Sequence, residues 1–380
     1  MLGSLSMPMP PFKLERYFAR YEFSTPFQLS PSDCEGVPMQ GILDMADEET
    51  LEMWRCLHLG YTESRGLSKL REEIAKLHGD VEQDDIQVVA PEEGIFIAMQ
   101  TLLNKGDRVV TTYPAYQSLF EIAKSMGCEV DHWTPDEKQG WRYDLDDLGE
   151  KLTSNTKLLV VNFPHNPTGA LPRKEDYEQM MSMAKERGVT VFSDEMFRFL
   201  ELDPADRLPS AVELDEKAIS LSGMSKTFGL AGMRIGWLVS KNRKMLRRMQ
   251  SYRHYTTGCS SAPSEVLALI ALRAKQKIIT ENVERIRRNI AELDRFFSEY
   301  SHVASWVRPR AGCVCFPKLE LDETASSFCK RAINEAGIMI LPSTVYDYGN
   351  RHFRVGYGRQ DFPETLDRFK DFLDHPSPDT

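Results

Sequence analysis

The sequence predicts an α/β protein, with a large domain built on a mostly parallel sheet flanked by helices and a smaller α+β domain after it. Three observations carry that expectation. From about residue 86, short β-branched runs alternate with helix-like segments, a βαβα rhythm that sets strands side by side under helices on both faces. Ile279, Val283, Ile286, Ile290, Leu293 and Phe297 recur at steps of three and four, marking one long helix that links the two domains. Beyond it, CVCFPKLEL and IMILP read as strands of the smaller domain. A chain of 380 residues is long enough for a large core and two domains. The division expected is an arm over 1–45, a large domain over 46–275 and a small domain over 276–380.

The arm is rich in Pro, Ser and Met around one aromatic, helix-like patch at 12–23, and it is expected to pack on the small domain. Its start, MLGSLSMPMPPFK, lacks the charged and apolar regions of a secretory signal, and no stretch approaches membrane-spanning length. Gly60-Tyr61-Thr62-Glu63-Ser64-Arg65-Gly66-Leu67 then leads into a helix with Leu70, Ile74 and Leu77 on one face. Strands follow at 86–90, 108–113, 158–162, 189–192 and 218–221, with helices at 92–103 and about 117–126. Ligands of such sheets gather at the carboxyl ends of the strands, so those ends are where chemistry is sought.

Composition narrows the classes of function. A formal net charge of −10 and the absence of a long basic run argue against a nucleic-acid partner. Seven cysteines without paired metal-type spacings suggest reduced thiols and, with the missing signal, a cytoplasmic protein. Cys313 and Cys315 alternate in a strand-like run, so they are expected to share one side of a sheet rather than to bond each other.

The densest chemistry lies in 220–237, SLSGMSKTFGLAGMRIGW. A lysine at a strand end loses water on folding, and its neutral amine can attack a carbonyl and form a Schiff base. Arg234, eight residues on, suits a phosphate, with the hydroxyls of Ser222, Ser225 and Thr227 as short arms around it. Among the other strand ends, Ala90-Pro91-Glu92-Glu93-Gly94 opens a helix whose N-terminus would attract an anion. Pro91, however, has no N–H, and the two glutamates bring negative charge. Asn166-Pro167-Thr168-Gly169 forms a tight turn whose asparagine can point back over the sheet. Asp194 closes an apolar strand and needs a partner there.

The order Tyr116, Asn166, Asp194, Lys226, Arg234, with its Ser-Lys…Gly-x-Arg-x-Gly spacing, resembles the aspartate aminotransferase-like, fold-type I family of pyridoxal phosphate enzymes. The resemblance covers roughly residues 55–360. It implies pyridoxal 5′-phosphate as cofactor, Lys226 as its Schiff-base lysine and Asp194 as the partner of the protonated ring nitrogen. Asn166 would then bond the phenolic oxygen, Tyr116 would stack on the ring, and Arg234, Ser222 and Ser225 would hold the phosphate near Glu92. It further implies that Arg354, in HFRVGYG, binds the substrate α-carboxylate, and that Tyr61 reaches into the partner's site of a homodimer. A surface-loop role for Tyr61, core packing for Tyr116 and a surface ion pair for Arg354 are the plainer alternatives. Where many relatives carry a tyrosine, Phe197 cannot donate to the phenolic oxygen.

The reaction expected is transfer of an amino group from an α-amino acid to a 2-oxo acid. The phrases VVNFPHNPTG, SYRHYTT and FRVGYG also resemble the branch containing capreomycidine synthase, which keeps an eliminating or ring-closing reaction open. His165 and His254 are the candidate acids for that alternative. A non-catalytic regulator that binds the cofactor fits less well, because no basic helix-turn-helix extension accompanies the lysine.

Overall fold

The computed structural model describes residues 9–375, and the expectations placed on residues 1–8 lie outside them. Seven strands form the central sheet: β1 Ile86–Val89, β2 Arg108–Thr112, β3 Glu129–Trp133, β4 Thr156–Asn162, β5 Thr190–Asp194, β6 Ile219–Gly223 and β7 Gly236–Val239. Their order is β1-β7-β6-β5-β4-β2-β3. All neighbours are parallel except β7, which runs antiparallel to both β1 and β6. Leu158, Leu159, Val160 and Val161 of β4 are wholly buried, as a strand covered by helices on both faces must be. β7 was not expected, because its four residues follow the lysine segment directly and read as part of it.

Parallel register brings the ends of the central strands to one edge. Asn162 pairs with Asp194 and Asp194 with Leu221, so β4, β5 and β6 finish level and feed their loops to the same place.

The long helix spans Lys275–Glu299, and its buried face, including Ile286, Ile290, Leu293 and Phe297, joins the core of the C-terminal part. There the two runs read as single strands are each divided. Val314–Cys315 pairs with Phe353–Gly356, whereas Lys318–Leu319 pairs with Ala304–Ser305. Pro317 stands between them, and without an N–H it cannot carry one ladder through. Ile338–Met339 pairs with Phe27–Gln28 of the arm, and Leu341–Pro342 pairs with the strand holding Arg354. Cys313 and Cys315 are both buried and free.

The aromatic patch of the arm forms helix α1, Lys13–Tyr21. The arm reaches both layers: Leu29 is buried in the C-terminal core, while Ile42 is buried with Leu70 and Ile74 against the sheet. Between those points it is sewn in by backbone bonds. Gly356 N donates to Leu29 O (2.6 Å), Glu35 N to Gly358 O (3.1 Å) and Cys34 N to Lys226 O (3.2 Å). No helix among the described residues is long and apolar enough to cross a membrane.

The seam is tight enough to predict its weak point. A Cβ on Gly356 would fall 1.7 Å from Pro31 O, a backbone atom that cannot swing away. Gly356→Ala should therefore push the arm off the C-terminal strand and cost about 2 kcal/mol or more. Urea unfolding at matched slope checks this, and an unchanged midpoint would show that the arm is not packed that closely.

Candidate active site

A cavity of about 390 Å³ opens at the carboxyl ends of β4, β5 and β6, between the sheet and α1. Lys226 lies in the turn that leaves β6, and its Nζ donates to Ser32 Oγ (2.9 Å). That turn closes at Gly229 with φ +67°, where a Cβ would sit 2.1 Å from Glu35 O, so only glycine fits. Asp194, at the end of β5, accepts from Met196 N through Oδ1 (3.1 Å). Burial pushes its carboxyl up to about 7, against the pull of the Met196 N–H.

Asn162 ties the neighbouring loop in place. Its Nδ2 donates to Asp194 O (3.0 Å) and its Oδ1 accepts from Asn166 N (2.8 Å). Asn166 Oδ1 in turn accepts from Arg354 Nη1 and from Tyr346 OH, both at 3.2 Å. Arg354 is 1% exposed and also donates to Tyr346 OH (2.5 Å) and, through Nε and Nη2, to Ser30 O (3.1 and 2.5 Å). Every one of those acceptors is uncharged, so the buried guanidinium has no counter-anion among the described residues. A buried charge in that state is costly, and an anionic ligand is what would offset it.

The cavity is lined by Lys226, Asp194, Asn166, Tyr116, Arg234, Ser225, Glu92 and Arg354, so most of the residues singled out in the sequence meet there. Ser225 Oγ is buried without a hydrogen-bond partner among the described residues. Arg234 is exposed, with φ +54° and, among the described residues, one side-chain bond, to Ala231 O (3.1 Å), which leaves its remaining donors for an anion. Glu92 stands in the first turn of α2, Pro91–Leu102, where burial pushes its carboxyl up. Tyr116 packs its ring against Phe12 (5.0 Å) and donates to Glu15 Oε1 (2.7 Å). Phe197 lines the same space.

Other candidates lie elsewhere. Ser222 is one step along β6 from Leu221, which lines the cavity, so the strand's alternation turns it to the other face. Its hydroxyl approaches Glu195 O at 3.4 Å. Thr227 Oγ1 bonds Met196 O and Arg198 O. Tyr61 is fully exposed and away from this chain's cavity. His165 is locked between Tyr143 OH (3.0 Å) and Thr168 Oγ1 (2.7 Å), and burial pushes its ring down to about 3. His254 is exposed beyond the helix Arg243–Arg253. Neither histidine lines the cavity.

Several lining residues escaped the sequence reading: Glu15 and Phe18 of α1, Glu22 at its C-terminal cap, Ser32, Asp33 and Asn162. The Ser30-Pro31-Ser32-Asp33 run carries only a turn-like signal. Among the described residues no group of three or more His, Cys, Asp or Glu could hold a metal ion.

Asp194 sets a pH dependence on the cofactor-free protein. Its folded value lies above its unfolded 3.8, so from pH 3.8 to about 7 the unfolded chain ionises while the folded one keeps the proton, and stability falls as pH rises. The loss should be on the order of 3 kcal/mol, and Asp194→Asn should remove that slope. Denaturant unfolding of both forms at pH 5 and pH 8 decides it, and parallel curves would rule it out.

Residues 57–369 match the family model of aminotransferases of class I and II. The chain is 28% identical over 265 residues to capreomycidine synthase of Streptomyces vinaceus, covering 70% of this chain and 67% of that one. It is 30% identical over 305 residues to the glutamate-pyruvate aminotransferase AlaA of Escherichia coli K12, covering 75% and 74%. Among solved structures, a pyridoxal phosphate-dependent aminotransferase from Streptococcus suis superposes with a TM-score of 0.91 at 26% identity, over 98% of this chain and 100% of that one. The orphaned Ser225 hydroxyl, the free donors of Arg234 and the buried carboxyl of Asp194 suit that cofactor's phosphate and ring nitrogen. The chain belongs to the class I and II aminotransferase family, and pyridoxal phosphate is its cofactor.

Proposed function

We propose that this protein moves the amino group of an α-amino acid to a 2-oxo acid. The observation that carries the proposal is a buried arginine without counter-anion, Arg354, lining the same cavity as Lys226. In this reading Arg354 binds the α-carboxylate of the substrate and Asn166 orients the guanidinium. Pyridoxal phosphate, when bound, supplies the electron sink that makes the α-proton removable. Arg234 and Ser225 hold its phosphate, and Asp194 keeps the ring nitrogen protonated. Lys226 anchors the cofactor and takes the α-proton on Nζ, with Ser32 Oγ beside it to orient the amine. Tyr116, pinned by Phe12 and Glu15, offers a flat wall, and α1 keeps water from the carbon that gives up its proton. The protein acts as a homodimer, the reading that gives the fully exposed Tyr61 a partner's site to reach.

A second reading, elimination or ring closure, is favoured by one observation. It needs an acid for the leaving group, and Glu92, whose carboxyl burial pushes up, faces the cavity. The likeness to capreomycidine synthase points the same way.

A half-reaction without 2-oxo acid separates the two. An aminotransferase must release one equivalent of keto acid per bound cofactor and stop with the cofactor in its amine form. Repeated turnover with the cofactor still an aldehyde would establish the second reading instead. Borohydride treatment of the holoenzyme followed by peptide mapping should label Lys226, and Lys226→Ala should abolish the label. A label on another lysine would remove Lys226 from its role.

A further inference from the structure

We propose that the amino acid taken by this cavity has a positively charged side chain, an ammonium or a guanidinium, received by Glu15 of α1 and Glu22 at its C-terminal cap, with Glu92 lining the same cavity. This rests on the reading above only so far as an α-amino acid binds here, whatever its later fate.

The charges lining the cavity do not balance without such a ligand. Five carboxylates and four cations face it. Asp33 is taken by Arg359, at 3.0 and 3.1 Å. Asp194 answers the ring nitrogen, Arg234 the phosphate and Arg354 the substrate's own carboxylate. Glu15, Glu22 and Glu92 remain, and none forms an ion pair among the described residues. The cations whose fields reach them are Arg359 and Lys226 for Glu22 and Arg234 for Glu92, and each of these has another task. Burial pushes the carboxyls of Glu22 and Glu92 up, the direction expected of acids that lack a cation.

The helix and its C-terminal cap bring two of these acids, Glu15 and Glu22, to the cavity lining. Leu14, Glu15, Phe18 and Glu22 fall at steps that share one face and line the cavity, Glu15 at its solvent-exposed rim, while Arg16 and Arg20 do not line it. α1 is fixed in that rotation by an ion pair from Lys13 to Asp347 and by Tyr17 OH donating to Ile340 O (2.9 Å). Independently, the unpartnered hydroxyl of Ser225, 6% exposed and lining the same space, marks the cavity as built around a ligand. A dicarboxylic amino acid would add a further negative charge facing three unpaired carboxylates, which disfavours it by simple repulsion.

The test is a spectral titration of the holoenzyme, without 2-oxo acid, using L-lysine, L-ornithine, L-arginine, L-leucine, L-glutamate and L-aspartate. The basic amino acids should bind at least tenfold more tightly than the dicarboxylic ones, and lysine and ornithine against arginine distinguish ammonium from guanidinium. Glu15→Gln and Glu22→Gln should each shrink the ratio of basic to leucine affinity several-fold. Because the Glu22 carboxylate makes no hydrogen bond among the described residues, its variant is read even if loss of the Tyr116 contact unsettles Glu15→Gln. Tighter binding of glutamate or aspartate, no spectral response to any basic amino acid, or a preference untouched in Glu22→Gln would overturn the proposal. Products are assayed separately: basic amino acids that bind without yielding keto acid would sink amino transfer and leave this inference standing. Keto acid formed only from leucine or glutamate would do the reverse.

Discussion

Arg354 sits where three separate pieces of chain meet, and its guanidinium is bonded only to uncharged oxygens from the arm, the Asn166 loop and Tyr346. Burying a full charge in that way is unfavourable unless the surroundings hold it in place and something anionic arrives to complete it. The rest of the site follows from that requirement. Ser30 O is available only because the arm is pressed against Gly356, and Asn166 Oδ1 only because Asn162 fastens its loop to the end of β5. The arm also bonds the backbone of Lys226 through Cys34 N, so the arginine and the lysine are set by one strap of chain.

The sheet imposes the second constraint. Parallel strands that finish level place Asn162, Asp194 and the turn after β6 in a row, which fixes where a flat, charged ligand can lie. Asp194 is dry enough to be pushed up to about 7, so a cationic partner at that point holds it ionised and relieves the strain on the folded state. Stability and binding are therefore coupled at this carboxylate. At the helix end where an anion would ordinarily bind, Pro91 and Glu92 weaken the N-terminus of α2, whereas Ser225 and Arg234 present donors to the same cavity.

Much of this could be read from the chain alone, and the misses have physical causes. Apolar β-branched runs and 3.6-residue periodicity are local signals, so most strands of the large sheet and the 275–299 helix were legible. β7 was not, being four residues long and joined to a motif that drew attention for other reasons. The C-terminal strands were read as continuous because pairing partners far along the chain decide where a ladder stops, as at Pro317. Ser222 reads like Ser225 because both are small hydroxyls beside the lysine, but Ser222 lies within β6 with its hydroxyl toward Glu195 O, whereas Ser225 lies in the turn beyond the strand.

By itself the sequence determined the family chemistry: a lysine, an aspartate, an asparagine turn and an arginine at spacings that chance seldom produces, the first three at or just beyond the ends of recognisable strands. It could do so because those residues sit in short motifs whose local geometry is encoded by neighbours. Only the tertiary structure decided that α1, which reads as a stray aromatic patch of the arm, roofs the cavity and brings Glu15 and Glu22 to its lining. That outcome depends on contacts made more than three hundred residues away, such as Tyr17 with Ile340, and no local pattern in the chain can specify a contact of that range.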